Sequence, residues 1–315
     1  MELFRVIKSG LFTTVQDRGR HGFQKFGVPI SGAMDKYGFA SANLLVGNSV
    51  DAACLEITLL GPEFEVLNKA QIAVAGADFS FTVNDNPMSL WQTVNLEKGD
   101  VVAFYGAPRS GCRAYLAVRG GIDVPVVLGS RSTNVRGGFG GYGGRALRAD
   151  DLIQAFAPEH FLGDDVVTPN DLIPNYAKEF AVDVVQGPQD AVFAAEGVET
   201  FLRNDYTVTP ESDRMGYRLQ GAFIERKSAV ELVTEALMEG VVQVPANGKP
   251  IVLMADAQTS GGYPKIATVT TPDVSRLAQA KPNDRVRFNR ISLAQAHAEY
   301  VEFCGVLARL GVRVS

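Results

Sequence analysis

Gln71-Ile72-Ala73-Val74-Ala75, Phe79-Ser80-Phe81-Thr82-Val83 and the turn Asn84-Asp85-Asn86-Pro87 decide the class of fold. The first two are short runs rich in apolar residues, and in the second Phe79, Phe81 and Val83 alternate with hydroxyl side chains. That is the period of a strand with one covered face. Working outward, the same kind of segment recurs at Leu55–Leu59, Val101–Phe104 and Ala114–Val118. Gly61-Pro62, Lys98-Gly99-Asp100 and Pro108-Arg109-Ser110-Gly111 punctuate them. Regular short strands between such turns predict an all-β barrel or sandwich. Crossover helices are missing from the pattern, which excludes a doubly wound sheet.

A chain of 315 residues is more than one ordinary domain needs, so two are expected. The segment from Pro158 to Phe180, with Pro158, Gly163, Pro169-Asn170 and Pro174, reads as the linker. It divides the chain into residues 1–165 and 175–315. With 46% of residues apolar and 21% charged, the composition is that of a soluble globular protein. The net charge of −5 leaves no excess of Lys and Arg to neutralise phosphates, which argues against nucleic acid as a partner. No apolar run approaches the ~20 residues of a membrane helix. Met1-Glu2-Leu3-Phe4-Arg5 lacks the basic start and apolar middle of a signal peptide, so a cytoplasmic location is expected. Cys54, Cys112 and Cys304 are far apart and form no CxxC, and no HExxH occurs. They are expected to be small buried hydrophobes, with no metal site.

Three polar turns carry the candidate chemistry. In Gln16-Asp17-Arg18-Gly19-Arg20-His21-Gly22 the guanidinium groups suit either a bidentate clamp on an anion or internal pairing with Asp17. Ser212-Asp213-Arg214-Met215-Gly216-Tyr217-Arg218 repeats that chemistry. In the third, the apolar run Ile251 to Ala255 reads as a buried strand that delivers Asp256, Gln258 and Thr259 to Ser260-Gly261-Gly262. Tyr263-Pro264-Lys265 follow at once. An acid, an amide, a hydroxyl, a phenol and an amine on one glycine turn suit recognition of a small polar substrate, and equally a solvated hairpin turn.

Elsewhere, Val28–Asp35 leads into a helix with Met34, Tyr37, Ser41, Leu44 and Leu45 on one face. Ser31 is placed to cap it, Asp35 suits its positive end, and Gly47 ends it. Gly138, Gly140 and Gly143 match GxGxxG, but no strand leads in and no apolar helix follows, so the dinucleotide context fails. The loop reads instead as mobile or tightly turning, and its Arg131, Arg136 and Arg145 suit an anion. No GxxxxGK[ST] occurs. In the second half, strands are expected at Ala181–Val185, Tyr206–Val208, Val241–Pro245 and Arg285–Phe288. Short helices are expected around Val192–Leu202 and from Thr271. Ser292 and Gln295 form a capping box for a last helix whose buried stripe is Leu293, Ala296, Tyr300, Phe303, Leu307 and Leu310.

Several motifs occur in a fixed order: Thr14–Arg20, Ser31–Asp35, Ala42–Asn48, Leu55–Thr58, Ala117–Pro125, Leu128–Thr133, Ser212–Gly221 and Asp256–Lys265. On them the chain resembles the biotin-dependent carboxyltransferase, or allophanate hydrolase subunit 2, family over nearly its whole length. Within that family it looks most like the branch of the 5-oxoprolinase C subunit (KipI antagonist, KipA-like). The resemblance implies a mainly β chain of two cyclophilin-like β-barrel domains with a cleft between them, a few short helices and a C-terminal helix.

It also implies two kinds of partner in a 5-oxoprolinase complex, a KipI-like (B) subunit and a hydrolase (A) subunit. The implied reaction is ATP-dependent opening of 5-oxoproline to L-glutamate, with ATP and magnesium handled through the assembled complex. Two alternatives stay open. One is carboxyl transfer from carboxybiotin to urea or a related amide, and the other is regulation by binding a KipI-like protein. The chain lacks the Met-Lys-Met attachment site, so it carries no covalent biotin itself. Both family reactions act on a small amide, which needs an orienting group and cations for developing charge. Asp256, Gln258, Thr259 and Tyr263 are therefore expected to orient the substrate. Lys265, Arg18, Arg131 and Arg214 are expected to meet anionic groups, with Asp17 and Asp213 orienting the arginines and Arg218 among the substrate-binding residues. Of these, Asp256, Lys265, Arg214 and Arg18 are the catalytic candidates.

Overall fold

The structure is a computed structural model that describes residues 1–158, 160, 161, 163, 165–227 and 232–312. The chain is mainly β and forms two compact units. Met1–Arg20, Ser31–Tyr176 and Gly305–Ser315 make the first, and His21–Ile30 with Ala177–Cys304 the second.

The first unit contains β1 (Glu2–Lys8), β2 (Phe12–Gln16), β3 (Cys54–Thr58), β4 (Glu63–Val66), β5 (Ala70–Gly76) and β6 (Phe81–Val83). It continues with β7 (Asn86–Pro87), β8 (Thr93–Leu96), β9 (Val101–Phe104), β10 (Arg113–Val118) and β11 (Leu152–Gln154), and includes helix α1 (Lys36–Leu45). These strands form a six-stranded sheet, β11-β1-β4-β9-β6-β7, and a five-stranded sheet, β2-β3-β10-β5-β8. Strands β3, β5 and β10 are buried at every position, and alternation sorts their side chains. Leu55, Ile57, Ile72, Val74, Leu116 and Val118 share one core with Phe4, Phe64, Phe81 and Phe104 of the other sheet. Cys54, Ala73, Ala75, Tyr115 and Ala117 form a second cluster with Phe39, Ala42 and Leu45 of α1. The three alanines let the helix sit close to the sheet.

That seat explains why α1 departs from the expected pattern. It is buried at Gly38, Phe39, Ala40, Ser41, Ala42, Asn43 and Leu45, and Leu44 is only half-buried. A helix covered on several sides carries no clean apolar stripe. Its cap is Asp35, whose Oδ1 accepts the Tyr37 and Gly38 N–H groups, each at 3.0 Å. Ser31, expected in that role, stands at φ 58 and accepts from Asn134 Nδ2. Gly47 ends the helix at φ 68, where a side chain would be strained.

Beneath the start of α1 lies a buried polar chain. Tyr115 and Glu56 are opposite neighbours on β10 and β3, and the phenol donates to Glu56 Oε2 at 2.8 Å. The same phenol oxygen accepts the Asp35 N–H at 2.7 Å, and Glu56 Oε2 also accepts the Met34 N–H at 2.9 Å. Burial, then the Glu56 and Asp35 carboxylates, push the Tyr115 phenol well above its ordinary pKa, which keeps it a donor. Replacing Tyr115 by Phe leaves a buried carboxylate short of a donor and a buried N–H short of an acceptor. The expected cost is about 1–3 kcal/mol, read from the urea midpoint of the first unit, and no change would remove this anchor from the account of the fold.

The second unit contains β12 (Glu179–Gln186), β13 (Tyr206–Val208), β14 (Gly216–Gln220), β15 (Glu235–Ala236), β16 (Val241–Gln243) and β17 (Ile251–Leu253). β18 (Ser260–Gly261), β19 (Lys265–Val269) and β20 (Arg285–Arg290) follow, with helices α2 (Ala195–Arg203), α3 (Thr271–Leu277) and the first part of α4 (Leu293–Val312), whose residues from Gly305 on are counted with the first unit. Seven strands close a barrel in the order β12-β19-β16-β17-β14-β13-β20. The seam is the parallel pair β12–β20, running from Glu179↔Arg285 to Val184↔Arg290. Phe201 of α2 stacks on Phe288 with ring centroids 4.4 Å apart, beside Tyr206, and so covers part of the barrel core. β15 and β18 lie outside the barrel as a separate two-stranded flap. The strand expected from Ile251 to Ala255 stops at Leu253, and a turn follows in which the Ala257 N–H bonds back to the Met254 carbonyl.

The Ser292–Gln295 capping box forms as expected: Gln295 Oε1 accepts the Ser292 N–H at 2.9 Å, and Ser292 Oγ accepts the Gln295 N–H at 3.2 Å. The buried stripe expected on α4 does not form along its whole length. Leu310 is buried, but Leu293 is 73% exposed and Tyr300 46% exposed. Apolar spacing marks a helix face without saying that anything covers it. Cys54 and Cys112 are buried as expected, whereas Cys304, on α4, is exposed.

Candidate functional site

The second unit brings two of the three polar turns together. Past β17 the chain runs beside the turn at 214–215, with Asp256 N–H donating to the Arg214 carbonyl at 2.8 Å. The side chains then meet: Arg214 Nε donates to Asp256 Oδ2 at 2.8 Å and Nη2 to Oδ1 at 3.3 Å. Their side chains are 8% and 11% exposed, so this two-pronged pair is largely removed from water. Asp213 takes no part in it. Its Oδ1 accepts the Met215 and Gly216 N–H groups, as an aspartate does in a local turn. Arg218 is exposed and is fixed through its backbone to Ser212 Oγ.

Lys265 is the first residue of β19, at a bulge. Val242 faces Ala267 while Gln243 faces Lys265, so one residue of β19 is left over. Bulges of this kind re-aim side chains beside functional sites. The Lys265 side chain is 9% exposed, and its Nζ donates to Glu235 Oε2 on the flap at 2.5 Å. Gln189 completes the group: its Oε1 accepts the Lys265 N–H at 3.0 Å and its Nε2 donates to Glu235 Oε2 at 2.6 Å. Gln189 arrives there because Gly187 carries no side chain. A Cβ at Gly187 would lie 2.7 Å from the Ile266 carbonyl carbon, and its N–H bonds that carbonyl. Hydrogen bonds from Lys265 and then Gln189 hold the Glu235 carboxyl below the ordinary glutamate pKa.

Gln258 and Tyr263 are exposed and Thr259 is half-buried on the rim of this group. The Thr259 carbonyl accepts the Leu237 N–H at 2.9 Å, which ties the flap to the turn. A Cβ at Gly261 would lie 2.8 Å from Leu237 Cδ1 and 3.4 Å from Gln243 Nε2, so a side chain there would have to push the end of Leu237 aside. A small pocket opens alongside, with Leu237, Met238, Met254 and Ala257 as its apolar wall and Gln258 and Thr259 on its rim. Sequence reading missed Gln189, Glu235 and Gln243. Only Gln243 left a signal, as an amide set inside the apolar run Val241–Val244 and buried to 1%.

In the first unit Asp17 is a structural hub. Its Oδ1 accepts from Gly19 N–H at 2.8 Å, from Ser130 Oγ at 2.7 Å and from Ser132 Oγ. Its Oδ2 accepts the Arg131 backbone N–H at 2.5 Å. Asp17 and Asp213 were expected to orient guanidinium groups, and both instead bind backbone N–H groups, with hydroxyls added at Asp17. Arg18 is exposed and pairs with Asp51 at 2.9 Å. Arg131 donates from Nε to the Val124 carbonyl at 3.1 Å and lies over the Phe156 ring. Arg20 is fully buried, donating to the Ser132 carbonyl and lying 4.8 Å from the Phe139 ring centroid.

Four N–H groups of the glycine loop turn inward: Gly137 to Asn134 Oδ1, Gly138 to the Val135 carbonyl, Gly143 to Gly141 and Gly144 to Gly140. A phosphate cradle needs such groups pointing out. Of the two expectations for this loop, mobile or tightly turning, these bonds favour the tight turn.

Among the described residues no helix is long and apolar enough to cross a membrane. The sequence is 39% identical over 304 residues to the 5-oxoprolinase C subunit of Escherichia coli (strain K12), covering 93% of each chain. It is 35% identical to the 5-oxoprolinase C subunit of Haemophilus influenzae, over 90% of this chain and 89% of that one. The crystal structure of Kluyveromyces lactis urea carboxylase superposes with a TM-score of 0.92 at 31% identity. That match covers 98% of this chain but only 29% of the larger enzyme. Residues 26–290 match the family described as carboxyltransferase domain, subdomain A and B. With both the sequence and the fold accounted for over that span, the chain belongs to the carboxyltransferase A/B family.

Proposed function

We infer that this chain is the C subunit of an ATP-dependent 5-oxoprolinase, opening 5-oxoproline to L-glutamate together with a hydrolase (A) subunit and a KipI-like (B) subunit. The observation that carries this reading is coverage. The E. coli protein matches over 93% of both chains, whereas the urea carboxylase match takes up 29% of its enzyme. A match that nearly fills both chains, with no biotin attachment site in the sequence, has the proportions of one component of a complex.

In this reading Lys265 meets the anionic part of the substrate, and Gln258, Thr259 and Tyr263 on the rim orient the amide. Asp256, held by Arg214 in the turn past β17, is proposed to accept or return a proton. Arg18 and Arg131 in the first unit are proposed to meet anionic groups through the same charge complementarity, and Asp17, Asp213 and Arg218 to shape the turns that carry the others. ATP and magnesium would supply the activation of the lactam oxygen, and we assign their binding to the assembled complex, since four N–H groups of the glycine loop here are already engaged within it.

The test is turnover by the co-purified complex: ATP-dependent loss of 5-oxoproline with matching L-glutamate. Lys265→Ala in that complex is expected to lower kcat/KM by about ten-fold or more, since a charged hydrogen bond to substrate would be lost. Full turnover by this variant would remove Lys265 from the chemistry. The second reading, carboxyl transfer, is favoured by the urea carboxylase superposition. It wins if the chain carboxylates urea when given a carboxybiotinylated carrier and leaves 5-oxoproline untouched. Tight binding of a KipI-like partner with neither activity would indicate regulation.

A further inference from the structure

We propose that Lys265 Nζ and Gln189 Nε2 form a carboxylate subsite, occupied in the resting chain by Glu235 as an internal stand-in that a substrate carboxylate displaces. This rests on the reading of Lys265 as a substrate-contacting residue and adds the ligand class, a second donor and a gate.

Three observations carry it. The two donors belong to fixed parts of the fold, since Lys265 is in the closed barrel and Gln189 is held by its own Oε1 on the Lys265 N–H. That bond turns the Gln189 amide so that its NH2 side faces the same point as the lysine amine. Both then converge on one oxygen, Glu235 Oε2, at 2.5 and 2.6 Å. Two donors aimed at one acceptor oxygen is how a ligand carboxylate is held.

The occupant, by contrast, is loosely mounted. Glu235 sits on the flap, whose ladder is only Glu235↔Gly261 and Ala236↔Ser260, and its side chain is 51% exposed beside a lysine that is 9% exposed. Val233 and Met238 on either side are 85% and 62% exposed, so the apolar burial that holds this segment down comes from Leu237, past the short ladder, rather than from the residues beside Glu235. Water reaches the Glu235 end of this pair, which screens it in part, so a free carboxylate of similar geometry can compete for the buried lysine. Exchange is conservative: one carboxylate leaves, another enters, and the donors keep their places. Lifting Glu235 also lifts the strand that carries Leu237 and Met238, which wall the neighbouring pocket.

The experiment uses the full chain and reads Lys265 directly. Acetylation of Lys265 by acetic anhydride is followed by peptide mass spectrometry in the wild type, Glu235→Gln and Gln189→Leu, with acetate, 5-oxoproline or 2-pyrrolidinone as protectant. Glu235→Gln is expected to label faster. It should also be protected by acetate and 5-oxoproline at concentrations about two- to five-fold lower than the wild type needs. 2-Pyrrolidinone, which lacks the carboxylate, should not protect, and Gln189→Leu should weaken protection.

In the assembled complex, Glu235→Gln is expected to lower KM for 5-oxoproline while kcat moves less. Equal labelling and equal protection in wild type and Glu235→Gln would overturn the proposal. Acetate protection with no turnover of 5-oxoproline would uphold the subsite and reject the 5-oxoprolinase reading. Turnover lost in Lys265→Ala with an unmoved Glu235→Gln would do the reverse.

Discussion

Asp17→Ala is expected to destabilise the first unit by about 3–5 kcal/mol. Each neighbour of this carboxylate donates: two hydroxyls, Ser130 and Ser132, and two backbone N–H groups, Gly19 and Arg131. The site therefore requires a group that only accepts. Asp17 is 7% exposed, and Ser130 and Ser132 are 1% and 0% exposed, so water has little access to replace it. The hydroxyls can rotate toward other acceptors, but the two N–H groups are fixed by the backbone. Each buried donor left without a partner costs about 1–3 kcal/mol.

The loss also unties chain segments far apart in sequence, since Ser132 Oγ in turn accepts the Asp17 N–H and the Asp17 carbonyl accepts the Ala33 N–H. Asp17→Asn is the milder control, because its amide keeps one acceptor and turns a donor toward donors. Its expected cost is about 2 kcal/mol. Urea unfolding followed by a probe in the first unit measures both, with the second unit's transition unmoved. An Asp17→Ala midpoint equal to the wild type would show that this hub does not hold the loops.

These two turns also show how far the sequence could be read. Strands β3, β5 and β10 were legible because fully buried strands concentrate apolar residues whatever their partners are. The capping box of α4 was legible because both of its members lie within one turn. Asp17 and Ser130, by contrast, are separated by 113 positions, and nothing local marks an aspartate whose acceptors are filled by hydroxyls that distant. Proximity suggested Arg18 and Arg20 instead, and Arg18 in fact reaches Asp51. Glu235 was invisible for a different reason. It lies on a two-residue strand with no periodicity, and only its place above Lys265 gives it meaning. The exposed Leu293 and Tyr300 were misread because apolar spacing reports a face and says nothing of its cover.

Breaking the Arg214–Asp256 pair from either side is expected to cost about 3–5 kcal/mol, because a charged group is left in a place largely closed to water. The two side chains are 8% and 11% exposed, and the pair has two prongs, so no lysine at 214 can reproduce it. The double variant Arg214→Ala/Asp256→Ala removes both charges together. It should be less destabilised than the sum of the single variants by about 1.5–3 kcal/mol, the coupling expected of a contacting pair. Additive losses would mean that each residue is held by something other than its partner.

Stability and catalysis are then separable. Asp256→Asn keeps the shape, and it keeps Oδ acceptor capacity for Arg214 Nε if the amide is turned. It should fold far better than Asp256→Ala. If Asp256 handles a proton in the reaction, Asp256→Asn still loses turnover by about 100-fold or more, although its unfolding midpoint falls less than that of Asp256→Ala. If turnover follows the midpoint instead, Asp256 serves only to pin Arg214 and the turn that leads to Lys265.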